Sequence, residues 1–282
     1  MRRLAPLIVL FALACDEGAR HAREVIHDEH AARVREVIHE DLDRTMRGVR
    51  SAAARLAPGF QVEDAAQRTL DMRHALRILR GDPPRGIPDI VLSPISFVAA
   101  VGLDGRVIAR DTESDSDPDP MAGWDAGSLF APVRAAIDTG AEGWGLVEIP
   151  GFTPEDPTMP ALLFAAPAMR GGERTGVVIA GLPLWREAQK LSRQLQGERP
   201  DTTLVLWVYL YRSDTLHHHG APADLTNAVP DASARAAGLA RSPGGYTGEV
   251  MQFGRWYGFG VLPLPELGED VGAVIFRADP IH

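Results

Sequence analysis

Phe97-Val98-Ala99-Ala100-Val101 and Val107-Ile108-Ala109-Arg110 are two short apolar runs joined by Gly102-Leu103-Asp104-Gly105-Arg106. Asp-Gly is a dipeptide in which glycine takes the positive φ of a tight turn, so the stretch predicts a β-hairpin. Outward toward the N-terminus, Gly81-Asp82-Pro83-Pro84 ends a predicted helix from Val62 to about Arg80. Before that, residues 17–56 contain no proline, and Val34, Ile38, Leu42, Met46, Val49, Ala53 and Leu56 recur at three- and four-residue steps. That spacing predicts one long amphipathic helix with a single apolar stripe, its other faces alternating arginine with carboxylates.

Outward toward the C-terminus come an acidic loop from Asp111 to Met121, a helix from Ser128 to Asp138, and strands near Gly145–Ile149, Ala161–Ala168 and Gly176–Gly181. Leu184–Gln196 predicts a connecting helix closed by Gly197 and Pro200. The same order then recurs. Leu204–Tyr211 and Leu216–His219 form a hairpin, helical turns from Asp224 to Ala240 break at Pro230, and two strands around Gly254-Arg255 precede a last one at Gly272–Phe276. Pro167, Gly172, Glu173, Gly176, Val178 and Ile179 reappear 96 positions on as Pro263, Gly268, Glu269, Gly272, Val274 and Ile275. This predicts an internal duplication, the alternative being two strand endings that share turn chemistry.

The chain has 282 residues, 45% of them hydrophobic, with a net charge of −9 and one cysteine. A disulfide scaffold and a disordered chain are thereby excluded, and the acidic balance argues against nucleic acid as a partner. Met1-Arg2-Arg3 precedes an apolar run of 11 residues, Leu4–Ala14, then Cys15 and Asp16. The run is shorter than a membrane-crossing helix and has the layout of a signal peptide. Phe11-Ala12-Leu13-Ala14-Cys15 resembles a bacterial lipobox, which implies lipidation of Cys15. A plain secretory signal with an incidental cysteine is the alternative.

Phe97 through Arg110, with Ala166-Pro167-Ala168 through Gly176-Val177-Val178-Ile179 running into the helix from Leu184, resembles the double Cache domain, the extracellular PAS-like sensor fold of bacterial receptors. The resemblance implies an α+β fold: a long N-terminal helix followed by two tandem PAS-like modules, each a five-stranded antiparallel sheet with flanking helices. The expected divisions are a signal peptide at 1–14, a lipid-anchored helix at 15–57, a membrane-distal module at 58–183, a linker helix at 184–200 and a second module at 201–282. It also implies an extracytoplasmic sensor, lipid-anchored on the periplasmic side of a bacterial membrane, that takes a small organic ligand in the distal module. Only six residues follow Phe276, so the expected signal passes to a separate receptor partner or within a homodimer. The arginine–x–tryptophan arrangement of amino-acid-binding members is missing from the distal module. The alternative is a non-catalytic interaction module that packs through its long helix.

Arg110 and Asp111, where the hairpin meets the acidic loop, together with Trp124 and Trp144, are the ligand-binding candidates. A guanidinium at a strand end grips a carboxylate with two bonds, and an indole covers the apolar remainder of the ligand. The other motifs read as structural. Glu24/His27 and Glu36/His39 have metal-ligand spacing, but twelve residues turn a helix by about 120°, so the pairs diverge. Asp115, Asp117 and Asp119 alternate as in a calcium loop that Pro118 and Pro120 interrupt. His217 and His219 would share a strand face, and Trp207, Tyr209 and Tyr211 would line one sheet face, as core or as a ligand wall. No nucleophile elbow, phosphate loop or zinc-protease motif occurs. Catalytic residues, metal and cofactor are therefore all expected to be none.

Overall fold

The computed structural model describes residues 17–81, 84–114, 117–151, 157–198 and 204–279. The expected signal peptide, Cys15 and Asp115 lie outside the described residues.

Residues 17–25 are helical and continue through a π-helical turn, Ile26–His30, into α1 (Ala31–Leu56). The hydrophobic stripe is buried as its spacing predicts: Val34, Ile38, Leu42, Val49, Ala53 and Leu56 are all covered. The chain divides into two compact units. One is His39–Pro183; the other joins the chain up to Ile38 with the chain from Leu184 onward.

In the first unit α2 (Ala65–Arg80) starts at Asp64, whose carboxylate accepts the Gln67 amide at 2.7 Å, a normal helix N-cap. After α3 (Pro88–Val91), β1 (Phe97–Val101) and β2 (Val107–Arg110) form the hairpin, with Gly105 at φ 83°. The helix expected from Ser128 to Asp138 is two, α4 (Ala126–Leu129) and α5 (Ala131–Asp138). Phe130, extended, separates them because Pro132 restarts the helix in its first turn. β3 (Gly143–Ile149), β4 (Met159–Arg170) and β5 (Glu173–Pro183) complete an antiparallel sheet in the order β2-β1-β5-β4-β3. Alternation divides its two faces. Phe97, Ala99, Val101, Leu163, Ala165, Val177 and Ile179 pack with Phe130, Val133 and Ala136 of the α4–α5 segment. The intervening residues point to the other face, where α2 lies against β1 and β2.

The second unit repeats the topology. α6 (Leu184–Gly197) precedes β6 (Val205–Arg212) and β7 (Thr215–His217). α7 (Ala223–Asn227) and α8 (Ala232–Arg241) follow, split at Pro230 as expected. β8 (Tyr246–Gln252), β9 (Arg255–Pro263) and β10 (Val271–Ala278) give the order β7-β6-β10-β9-β8. One face carries Tyr209, Tyr211, Val261, Val274 and Phe276 against Leu225 and Val229. The other receives α6 and the π-helical turn.

Candidate functional site

The side chain of Arg110 would follow simple alternation along β2 if the pairing with β1 were regular. It is not: the register slips between Ala100 and Val101, so Val101 faces Val107 while Ala99 faces Arg110. This bulge turns Arg110 onto the face that carries Phe97 and Ala99, the α4–α5 face. Its guanidinium carbon stands 5.8 Å from the centre of the Phe97 ring, and the side chain is only 16% exposed. A guanidinium held over an aromatic ring at the rim of an apolar cluster suits a carboxylate with a hydrophobic tail.

The acidic loop builds the wall beside it. Asp119 accepts the backbone amides of Arg110 and Met121, each at 2.9 Å, and so draws the loop back along β2. The returning chain continues that edge: the Val107 amide donates to the Trp124 carbonyl at 2.9 Å, and the Gly123 amide to Val107 at 3.3 Å. Met121 is thereby fully buried and Trp124 packs on the same apolar cluster. Asp117 caps the Ser114 amide at 2.8 Å. Its carboxylate and that of Asp119 thus hold the loop's own backbone.

Asp111, the next residue, points the other way. Its carboxylate is 2% exposed, pairs with Arg80 at the end of α2, and accepts the Val98 amide at 2.9 Å. Arg80 also donates to the carbonyls of Ser96 at 2.9 Å and Ile95 at 3.0 Å. Burial pushes the Asp111 carboxyl up, against the opposing pull of Arg80, the Val98 amide and Arg110. Trp144 lies on β3, the far edge of the sheet, opposite Phe164 at a ring separation of 6.3 Å. Phe164 belongs to the α2 face, so Trp144 does too. The structure thus brings Arg110 and Trp124 to one face and leaves Asp111 and Trp144 on the other. Phe97, Met121, Asp119 and Arg80 complete the arrangement. Sequence reasoning did not join them to Arg110: Phe97 reads as an apolar strand residue, Asp119 as part of an acidic loop, and a loop methionine and a helix-end arginine carry no signal of their own.

In the second module Trp207, Tyr209 and Tyr211 line one face as expected, filled by Phe276 and Phe259. The histidines part company. His218 lies between the Trp207 and Tyr209 rings, 5.2 Å from each, and His219 against Trp185 at 5.4 Å. Burial pushes the His218 imidazole down to about 4. Ser192, 3.3 Å from His218 Nε2, already accepts the Val208 amide at 2.8 Å and so serves as a backbone tie. Among the described residues no three histidine, cysteine or acidic side chains gather as a metal site. Glu24, His27, Glu36 and His39 are exposed. Among the described residues no helix is long and apolar enough to cross a membrane.

Compared by sequence, the chain matches no family model and no curated protein. Compared by structure, it is similar to the ligand-binding domain of the Campylobacter jejuni chemoreceptor Tlp3 in complex with L-valine. The two share 10% identity at a TM-score of 0.55, over 96% of each chain. It is also similar to a domain described as belonging to a sensory box/GGDEF family protein of Vibrio parahaemolyticus, with 12% identity and TM-score 0.53 over 94% of this chain and 97% of that one. An extracellular ligand binding receptor from Desulfohalobium retbaense DSM5692 aligns at 12% identity and TM-score 0.49 with 89% of this chain, which spans 39% of that receptor's length. At such identities the likeness is one of fold, and the fold is that of the double Cache sensor domains, two PAS-like modules in tandem.

Proposed function

We propose that the chain is an extracytoplasmic sensory protein that binds a small organic carboxylate on the α4–α5 face of its first module. Cleavage after residue 14 would leave it anchored by a lipid on Cys15, with the first module distal to the membrane, and a separate receptor or a second copy would carry the signal onward. One observation carries the ligand reading: the β-bulge that places Arg110 on the Phe97 face, its Nε 4.0 Å from the Asp111 carboxylate and its guanidinium over the Phe97 ring. Asp111 and its partner Arg80 position that arginine, and Met121 with Trp124 form the apolar wall. The Tlp3 domain, alike in fold, binds L-valine and 4-methylisoleucine, each a carboxylate with a branched apolar tail.

The alternative, an interaction module that docks through its long helix, calls for an apolar stripe left bare. Ala19, Ala22, Ile26, Val34, Val37 and Ile38 on the N-terminal part and Leu42, Val49, Ala52 and Leu56 beyond are instead buried. That favours the ligand-binding reading.

The test is a thermal-shift screen of the full chain in detergent against monocarboxylates, dicarboxylates, amino acids, amines and purines. A ligand at about 100 times its dissociation constant adds roughly 2.7 kcal/mol of stability. The expected result is a shift with a carboxylate that Arg110→Gln abolishes while the unliganded melting temperature stays. A panel in which no carboxylate shifts the protein, or a shift that survives Arg110→Gln, would overturn the reading.

A further inference from the structure

The β8–β9 hairpin carries its apolar side chains where a soluble surface would not. Gln252 pairs with Arg255, so Phe253 and Gly254 are the two central residues of the turn, at φ 52° and 71°. A turn with positive φ at both positions favours asparagine followed by glycine, and phenylalanine at the first is strained. This phenylalanine is also 56% exposed, and Met251, on a strand at the edge of the sheet, is 52% exposed. Trp256 faces Met251 across the ladder and is part-exposed. An aromatic kept at a position that costs backbone strain and buries nothing within the chain points to a partner outside it.

The packing of this unit shows what lies next to the tip. A Cβ on Gly260 would meet Ile26, and one on Gly258 would meet Ala22 and Arg23. Arg23 is paired with Glu249, which lies opposite Gly258. The N-terminal helix and β9 therefore run in the same direction at the same level. Four helical residues and two strand residues each advance about 6–7 Å. Continued downward, that register puts Trp256 at about the level of residues 18–19 and the turn level with or beyond residue 17. The chain preceding residue 17 is Asp16, then Cys15 and the apolar run Leu4–Ala14.

We infer that the Met251–Trp256 hairpin tip inserts into the acyl boundary of the phospholipid bilayer beside the Cys15 anchor, giving the protein a second, protein-made contact with the membrane. The inference rests on the lipid-anchoring reading. A lipid on the chain's end holds a protein at the bilayer but leaves it free to tilt, whereas a second, protein-made contact sets the orientation of the module. Phe253 and Met251 supply the apolar insertion, and Trp256 suits the headgroup interface.

The experiment uses the chain produced in a bacterium that lipidates exported proteins, with Gln252→Cys labelled by a polarity-sensitive fluorophore and reconstituted in phosphatidylcholine vesicles. The unsubstituted chain reports on the anchor, since an acylated Cys15 takes no label and partitions into detergent. The expected result is a blue-shifted probe quenched at least about twofold by lipids brominated high on the acyl chain, for insertion about 5–10 Å deep. A probe at Asp214→Cys, in the turn at the opposite end of the sheet, should stay unquenched. Adding Phe253→Asn keeps the turn, since asparagine tolerates positive φ, and should abolish the quenching without lowering the melting temperature. An anchored chain whose Gln252→Cys probe is unquenched overturns the inference and leaves the anchor standing. So does quenching that survives Phe253→Asn, or a probe blue-shifted without lipid, which would assign the tip to a protein partner. A chain that labels at Cys15 and stays in the aqueous phase overturns the anchoring reading and the inference with it.

Discussion

Arg80→Met tests how Arg110 comes to face the α4–α5 side. The substitution keeps most of the aliphatic stem and removes the charge that pairs with Asp111. Asp111 is 2% exposed and would keep only the Val98 amide and the longer 4.0 Å contact with Arg110 Nε, while the carbonyls of Ser96 and Ile95 would lose their donor. Orphaning one member of a buried pair costs roughly 3–5 kcal/mol, and since Arg80 is 31% exposed the lower end applies, about 3 kcal/mol at pH 7. The loss should depend on pH with a definite sign. The folded carboxyl of Asp111 is already raised above 3.8 by burial. Its contribution to stability is therefore fully present below the unfolded value and is lost as pH rises through the folded one. Removing Arg80 raises the folded value further and extends that loss to higher pH. As pH falls and the orphaned acid takes up a proton, the loss shrinks toward that of the carbonyl bonds alone, about 1 kcal/mol. Urea unfolding at pH 7 and pH 4 measures both, and the melting temperature at pH 7 should fall by roughly 6–12 °C. Asp111→Asn alone keeps an acceptor for Val98 and should cost about 1 kcal/mol with little pH dependence, and added to Arg80→Met it should recover much of the loss. Equal losses at the two pH values, or a loss under about 1 kcal/mol at pH 7, would refute the placement of a buried charge pair at the end of β2.

Two further outcomes are expected. His30, 3% exposed in the π-helical turn, accepts a bond from Arg277 at 2.8 Å, and burial together with that guanidinium pushes its imidazole from 6.5 down to about 4. Stability is present above pH 6.5 and lost as pH falls toward 4, so about 2–3 kcal/mol should disappear between pH 7 and pH 4.5 in urea titrations, and His30→Gln should flatten that slope. Gly258→Ala would set a methyl group 2.8 Å from the Arg23 backbone nitrogen, where no flexible side chain can yield, and should cost about 1–3 kcal/mol in thermal unfolding.

The sequence is legible where one residue type settles the backbone. Asp104-Gly105 marks the hairpin, Gly171-Gly172 turns β4 into β5 with both φ positive, and Pro230 separates α7 from α8. It is silent where the outcome depends on a partner strand or helix. No proline or glycine in Ile26-His27-Asp28-Glu29-His30 announces the π-helical turn, whose buried His30 meets an arginine from β10. The bulge between Ala100 and Val101 is equally invisible, since two runs of small apolar residues can pair in either register. Arg110 was legible as a candidate because it ends a strand beside an acidic loop, and its direction was not. Trp144 failed as a companion because its face depends on pairing with Phe164 on the α2 side.

The duplication read at a spacing of 96 makes the same point about phase. On β4 and β9 the spacing holds: Leu163 and Ala165 face the α4–α5 side, and Phe259 and Val261, their counterparts, face the α7–α8 side. On β5 and β10 it is one residue out. Val178 points toward the α2 face, whereas Val274, 96 positions on, belongs to the apolar face with Phe276, and the register of β4 against β5 slips at Ala168. Three of the six identities that suggest a repeat, Gly176, Val178 and Ile179 with their counterparts, therefore lie where the side-chain faces are opposite. They reflect shared turn chemistry and the needs of a buried central strand, while what is duplicated is the strand order. A binding residue consequently cannot be carried from one module to the other by adding 96. By topology the corresponding edge strand ends at His217, and the residue just past it, His218, is lodged between Trp207 and Tyr209 with its imidazole held down to about 4. At neutral pH the first module presents a permanent cation over an aromatic ring at that place, and the second an uncharged ring among rings. Of these two strand ends, that of the first module alone offers a charge to pair with a carboxylate, and the proposed site lies there for that reason.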